Sequence, residues 1–417
     1  MTISTTIKKQ NNRKKLLTAW IILLAAWIIM SLAPLIYKDK TGRLFADHYD
    51  RSVYFERGKW FITHTIPNSE YPQIPTFLFG INHLPSSWVD ANMQMETYII
   101  IFSLEMLIVL FFVFKLLLEL LPHRLNNYAY LVLLPPSLYF TYNRFDILPA
   151  FLCLIAYTNA TKKHWGIVSI VLAIATFTKW YPVLLFPGFF AYANNSESKT
   201  QWRMILFFFL TSIAILTPTY IIGGLEAILA PYQIQTGRGM EFIALPVLTH
   251  NFLSSVLDIS INLQPFLLFF FILQFLAPSL LLVIKIVSLK SLIHYCIIVL
   301  GLFIFFSRIW SPQWFLWLLP FLVLTTKNLK DAGIIIAYSS VMYICFPLIF
   351  DRYGVDSPQL RLSGIVGYLI LSAIILRSIV YLKKYALPTI YSQVIRNVIQ
   401  KKMSNFHRSE ESNEEIG

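Results

Sequence analysis

Long apolar runs alternate with short polar stretches from residue 16 to residue 382. The first run, about 16–37, is preceded by Lys8, Lys9, Arg13, Lys14 and Lys15 and ends near Pro34. About 20 apolar residues suffice to cross a hydrocarbon core, so it predicts a retained first span. A polar loop, 38–95, follows, and then a second span over about 96–120, ending at His123 and Arg124. Three later apolar stretches are each broken once: 127–160 at TYNRFD (141–146), 165–193 at TKWYP (178–182) and 292–326 at SRIWSPQW (307–314). Read as hairpins, they combine with spans at about 204–222, 263–284 and 362–382 and one before the polar DRYGVDSPQLR (351–361). The sum is about twelve crossings.

Some arms of these hairpins are short. The arms 127–141 and 165–178 have about 15 residues, or roughly 22 Å of a core about 30 Å thick. Their polar tips therefore fall inside the membrane boundary. Irregular backbone at that depth is tolerated only where it is buried in protein or lines a wet cavity. The pattern thus predicts an all-α polytopic membrane protein with a cavity open to one face.

Composition agrees. Of 417 residues 57% are hydrophobic, 16% aromatic and 13% charged, against about 25% charged in an ordinary soluble domain. The chain reads as one transmembrane catalytic domain, 1–382, shaped by outer loops 38–95 and 223–262, with a cytoplasmic, disordered tail over 383–417. The net charge of +13 is dispersed over short loops. That is the positive-inside pattern, with both termini in the cytoplasm, and not the gathered basic face of a nucleic-acid binder. Cys153, Cys296 and Cys345 all lie in apolar segments and form no disulfide framework. His48, His64, His83 and His250 show no ligand spacing, so no metal site and no cofactor is expected.

The polar stretches hold the candidate chemistry. Loop 38–95 carries Asp47, Asp50, Glu56 and Glu70, and is expected to be helical in part. The tips hold Asn143, Arg144 and Asp146; Lys179, Trp180 and Tyr181; and Arg308, Ser311 and Gln313. The outer loop 223–262 adds Tyr232, Gln235, Arg238 and Glu241. Ionisable residues at membrane depth are costly and default to functional candidates, although a lysine or arginine near a helix end can simply snorkel. Cations at a lipid–water border suit a phosphate on a lipid chain. Nucleotide-sugars are absent outside the cytoplasm, so a glycosyl donor there must be lipid-linked. Its phosphate leaves without a general acid, and the enzyme needs one base for the acceptor hydroxyl plus cations for the departing phosphate.

In these stretches the chain resembles the polytopic lipid-phosphate-sugar-dependent glycosyltransferases of C-type fold. It is most similar to the polyprenol-phosphate-mannose-dependent mannosyltransferases, glycosyltransferase family 87 and its relatives. The resemblance rests on Asp50 to Tyr54; on Glu70-Tyr71-Pro72, with Gln73 where the family has a second proline; and on Asn143-Arg144-Phe145-Asp146. It extends to Thr178-Lys179-Trp180-Tyr181-Pro182, to Tyr232 through Gly239, and to Ser311-Pro312-Gln313-Trp314 with Trp317 and Pro320. It implies a polyprenyl-phosphate sugar as donor, mannose before other sugars, a lipid or glycan acceptor, and an inverting displacement without a metal in the bacterial inner membrane. It implies that Asp50 is the catalytic base.

Alternatives remain beside that implication. Asp47 is the second candidate base, and Asp50 could instead be a loop carboxylate paired with Arg51 or Arg57. Lys179 and Arg238 are the preferred phosphate ligands; Arg144 could pair with Asp146 to fix its own tip, and Arg308 could hold the third tip. Gln313 is a sugar ligand or a buried amide, and Glu70, Tyr71 and Tyr232 are structural or substrate-binding. A transporter or flippase for a lipid-linked substrate would also place cations and broken helices at membrane depth. A polymerase or ligase using a diphosphate-linked donor is the other alternative.

Overall fold

The structure is a computed structural model. It describes residues 2–37, 44–63, 69–194, 200–237, 243–255, 258, 262–279, 281 and 286–384. Every regular element among the described residues is helical. The tail beyond residue 384, including most of the expected 383–417 segment, lies outside them, as does Arg238.

Helix α1 (Thr2–Ile36) contains the first apolar span. Loop 38–95 then builds three helices, α2 (His48–Gly58), α3 (Trp60–Thr63) and α4 (Gln73–Ser86). Helix α2 begins where Asp47, with extended backbone, accepts the Tyr49 N–H, a side-chain N-cap. It packs closely on α4: a Cβ at Gly58 would sit 2.4 Å from the Phe79 carbonyl oxygen. The Trp60 indole donates to the Thr76 carbonyl across the same contact. The loop is therefore a folded cap on one end of the bundle.

Helix α5 (Gln94–Leu120) returns through the membrane, and the three interrupted stretches follow the predicted breaks. The first break separates α6 (Pro135–Asn143) from α7 (Ile147–Thr161). The second separates α8 (Trp165–Thr178) from a 3-10 turn at Tyr181–Leu185 and α9 (Phe186–Asn194). After α10 (Thr200–Gly237), α11 (Leu245–Ser255) and α12 (Leu263–Ser279), the third separates α13 (Leu289–Phe306) from α14 (Phe315–Thr325). The last helices are α15 (Leu329–Tyr343), α16 (Phe350–Tyr353) and α17 (Pro358–Lys384).

Six helices are long and apolar enough to cross a membrane, and four shorter apolar ones, α7, α8, α12 and Pro312–Thr325, accompany them. The chain is a helical, multi-pass membrane protein. Two arms differ from the even helices that periodicity predicts. Residues His123–Leu133 are 3-10 helix, and only the nine residues of α6 are α-helical. The reason is local: Leu134 precedes Pro135, which disfavours the α region, and its backbone is extended. Pro182 and Pro187 bracket a similar change before α9. The outer loop expected at 223–262 is likewise largely helical. Helix α10 runs on past a kink at Gly224, whose φ of 66° and ψ of −165° only glycine adopts without strain.

Charge is sorted along the bundle. Helix α7 begins beside Asp146 and ends at Lys162; α8 begins after Lys163 and ends at Lys179. Helix α13 begins near Lys290 and ends at Ser307, and α14 runs from Trp314 to just before Lys327. The broken tips share the end capped by α2–α4, and the lysines of the short loops occupy the other.

Candidate active site

Between the loop cap and the tips lies a cavity of about 380 Å³. Pockets for small ligands typically span 300–1,000 Å³. Asp50, Glu70 and Tyr71 reach it from the loop, Arg144 and Asp146 from the first tip, and Lys179, Trp180 and Tyr181 from the second. Arg308, Ser311 and Gln313 reach it from the third tip, with Gln235 from the end of α10. Its remaining wall is apolar and aromatic, made by Phe271, Phe275, Phe303, Phe346 and Trp317 among others. Six sequence candidates, together with Arg144, thus converge on one chamber.

Two described candidates, Tyr232 and Asp47, do not line it. Arg238 lies outside the described residues. Tyr232 stacks on the cavity residue Trp180, with centroids 4.9 Å apart and planes 6° from parallel, so it braces the rim. Asp47 is buried as the cap of α2 and is not among the residues that line the cavity.

The ion pairs differ from the sequence alternatives. Asp50 pairs with neither Arg51 nor Arg57. Its Oδ2 lies 2.6 Å from Arg144 Nε, and the Nη2 of the same guanidinium donates to Asp47 Oδ2 at 2.5 Å. Arg144 does not pair with Asp146. Its extended backbone (φ −140°, ψ 151°) turns it toward α2, while Asp146, already in the α region, opens α7 facing α8. There Asp146 accepts from Lys179 Nζ at 2.6 Å and from the Trp317 indole at 2.7 Å. Arg57 pairs instead with Glu70 at 3.1 Å on the rim.

Counterions decide which cation is open to a ligand. Arg144 serves two carboxylates and Lys179 serves Asp146. Arg308 Nη2 donates only to the backbone carbonyls of Gln235 and Thr236, at 2.8 and 3.0 Å, and meets no carboxylate among the described residues. Gln235 in turn donates to the Glu70 carbonyl. This chain of bonds ties the third tip to α10 and the loop, and the Arg308 charge meets no carboxylate among the described residues.

Two carboxylates of the loop are pushed in opposite directions. Burial raises the pKa of Asp50; Arg144 and Lys179 oppose this and the neighbouring Asp47 and Asp146 charges add to it, so it stays above the ordinary aspartate value. Burial acts on Asp47 the same way. Here, however, the Arg144 charge and hydrogen bond, the Tyr49 N–H and Arg51 prevail and hold it below the ordinary value.

Aromatic packing fixes the frame. Tyr54 stacks on Phe79 at 4.6 Å and meets Phe145, Phe102 and Tyr71 edge-on or tilted, which pins α2 to the first tip. Tyr181, Trp317 and Trp314 stack in series at 4.1 and 4.6 Å, and Lys179 Nζ lies over the Phe145 and Trp317 rings. Sequence reasoning did not single out Trp317 as the indole that holds Asp146. Nor did it find the shared guanidinium of Arg144, since that residue and Asp47 lie 97 positions apart. Arg51 was missed as well. It is wholly buried over the Tyr142 ring, its Nε donating to the Asp47 carbonyl.

No protein-family model and no curated protein matches the chain. Its function is therefore argued from the site.

Proposed function

We propose that the chain is an integral-membrane glycosyltransferase of C-type fold. It moves a sugar, mannose before others, from a polyprenyl-phosphate carrier to a hydroxyl on a lipid or glycan acceptor. The observation that carries this is one cavity that joins a raised-pKa carboxylate, an arginine without a counter-anion among the described residues, and an apolar wall. A head group with a negative charge, a ring and an oily tail meets a suitable partner at each point.

In this reaction Asp50 takes the proton of the acceptor hydroxyl as its oxygen attacks the anomeric carbon. The bond from that carbon to the phosphate oxygen breaks with inversion, and the lipid phosphate departs with the electron pair. Arg308 stabilises the charge that grows there, through preorganised donors in a site that excludes bulk water. Lys179, locked on Asp146, lends a weaker field. Gln313 and the stacked indoles face the sugar, and Glu70 and Tyr71 stand on the acceptor side.

The positive-inside rule puts the lysine-rich loops in the cytoplasm and the cavity on the outer face of a bacterial inner membrane. Both termini then lie inside. The count of twelve crossings treats α6 and α9, with their 3-10 segments, as crossings that end at depth.

The test is direct. Purified protein is incubated with labelled polyprenyl-phosphate sugars and membrane-extracted acceptors. Transfer by the native chain and its loss in Asp50→Asn support the proposal. A folded Asp50→Asn variant with undiminished transfer would refute the base. Movement of lipid-linked sugar across proteoliposomes without any transfer would show a flippase instead.

A further inference from the structure

One guanidinium meets two carboxylates at two corners: Asp47 Oδ2 at Nη2 and Asp50 Oδ2 at Nε. Only Asp50 faces the cavity. Asp47 is fixed from three directions. Its N–H donates to Asn143 Oδ1 at 2.8 Å, its Oδ1 accepts the Tyr49 N–H, and its carbonyl accepts Arg51 Nε. It cannot swing away when a substrate enters.

We infer that Asp47 is a positioning residue: by holding the Nη2 corner of Arg144 it divides that cation between two carboxylates and keeps Asp50 a competent base. The inference rests on the transferase proposal for its consequence in catalysis, though not for its electrostatics. An aspartate with an arginine to itself is held about 1–3 pH units below its ordinary value and is a poor proton acceptor. Here one guanidinium faces two carboxylates, and the buried Arg51 adds its charge from the Asp47 side. The groups facing Asp50 are Asp47 and Tyr54 from the loop, Arg144 and Asp146 from the first tip, and Lys179 from the second. Lys179 is matched by Asp146, so Asp47 is what keeps Arg144 from being matched by Asp50 alone. Burial alone would raise both carboxylates. Asp47 takes the Arg144 hydrogen bond, the Tyr49 N–H and the Arg51 charge, while Asp50 is left to burial and to the Asp47 and Asp146 charges, so the two end on opposite sides of the ordinary value.

Asp47→Asn separates this role from a structural one. Asparagine is as good a helix cap as aspartate, and its amide oxygen can still accept from Tyr49. The charge is lost, and with it the Arg144 contact at the second oxygen. The readout is carbodiimide modification of Asp50 in the purified full chain, measured across pH by peptide mass spectrometry. The expected result is a midpoint about one pH unit or more lower in Asp47→Asn, returning toward the native value in Asp47→Glu. The acid limb of the transfer rate should move the same way, with a lower plateau. An unmoved midpoint in the folded variant would overturn the inference. The native protein supplies a second check that needs no variant: Asp50 must become protonated at a higher pH than Asp47, and the reverse order would refute it. The modification assay requires no transfer, so absence of transfer by the native chain would sink the proposed function while leaving this result standing.

Discussion

Two acid–base clusters face the same cavity, and they are built with opposite stoichiometry. On the loop side one cation, Arg144, is shared by two carboxylates, Asp47 and Asp50. On the tip side one carboxylate, Asp146, is shared by two donors, Lys179 and the Trp317 indole. The first cluster has a carboxylate to spare, so it can accept a proton. The second is closed: Lys179 and the indole both donate to the Asp146 carboxylate, which ties together the different chain segments they come from. The sequence ranked Lys179, with Arg238, above Arg308 as a phosphate ligand. Counting counterions reverses the order.

The largest effect should follow from removing the spare carboxylate. Asp50→Asn is expected to lower the transfer rate by about 10²–10⁴-fold, the range of a general base, with little change in thermal unfolding followed by tryptophan fluorescence. Comparable losses of rate and stability together would place Asp50 in the closed class. For the second cluster the sign of the comparison reverses. Asp146→Ala leaves Lys179 without its counterion in a buried site, and breaking such a pair costs about 3–5 kcal/mol. It should appear first as lost stability, and Lys179→Met combined with it should recover part of that loss. A double variant no more stable than Asp146→Ala would break the contrast.

Next in size is Arg308→Gln, which should weaken donor phosphate binding by about 10–100-fold, the loss of a charge-assisted contact of roughly 1.5–3 kcal/mol. It should raise KM more than it lowers kcat. Lys179→Met should do so less, and the opposite ranking would overturn the counterion argument. The pH dependence is smaller again. Because the folded pKa of Asp50 is raised, activity should fall as pH drops through a midpoint above about 4, the ordinary aspartate value. Asp47 gives the opposite linkage. Its folded pKa is depressed, so its stabilisation is present above the ordinary value and is lost as pH falls through the lower folded one. Least affected should be the exposed rim: Glu70→Gln, which breaks the pair with Arg57, should cost about 1 kcal/mol or less.

Much of this was legible in the chain. Hydropathy found the long helices, and the polar interruptions at Arg144, Lys179 and Ser311 fell where the helices break. Pairing was not legible. Arg144 and Asp146 are sequence neighbours, yet the extended backbone at Arg144 sends their side chains to different helices. Asp47 and Asp50 look interchangeable by spacing, and only the start of α2 separates cap from cavity residue. The helical content of 223–237 was hidden because Gly224 and Pro231 read as loop signals, while the chain uses the glycine for a single kink.

Helix α12 has a further meaning for how the chamber is reached. Phe271 and Phe275 line the cavity, while Leu268, Phe269, Ile272 and Leu276 on the same helix are exposed. A partition one helix thick, apolar but for Gln274 on its inner side, stands between the site and its surroundings. A molecule with a charged head and a hydrocarbon tail could keep the tail in the bilayer while only the head crosses that boundary. Its solubility in water would then never limit the rate of its arrival.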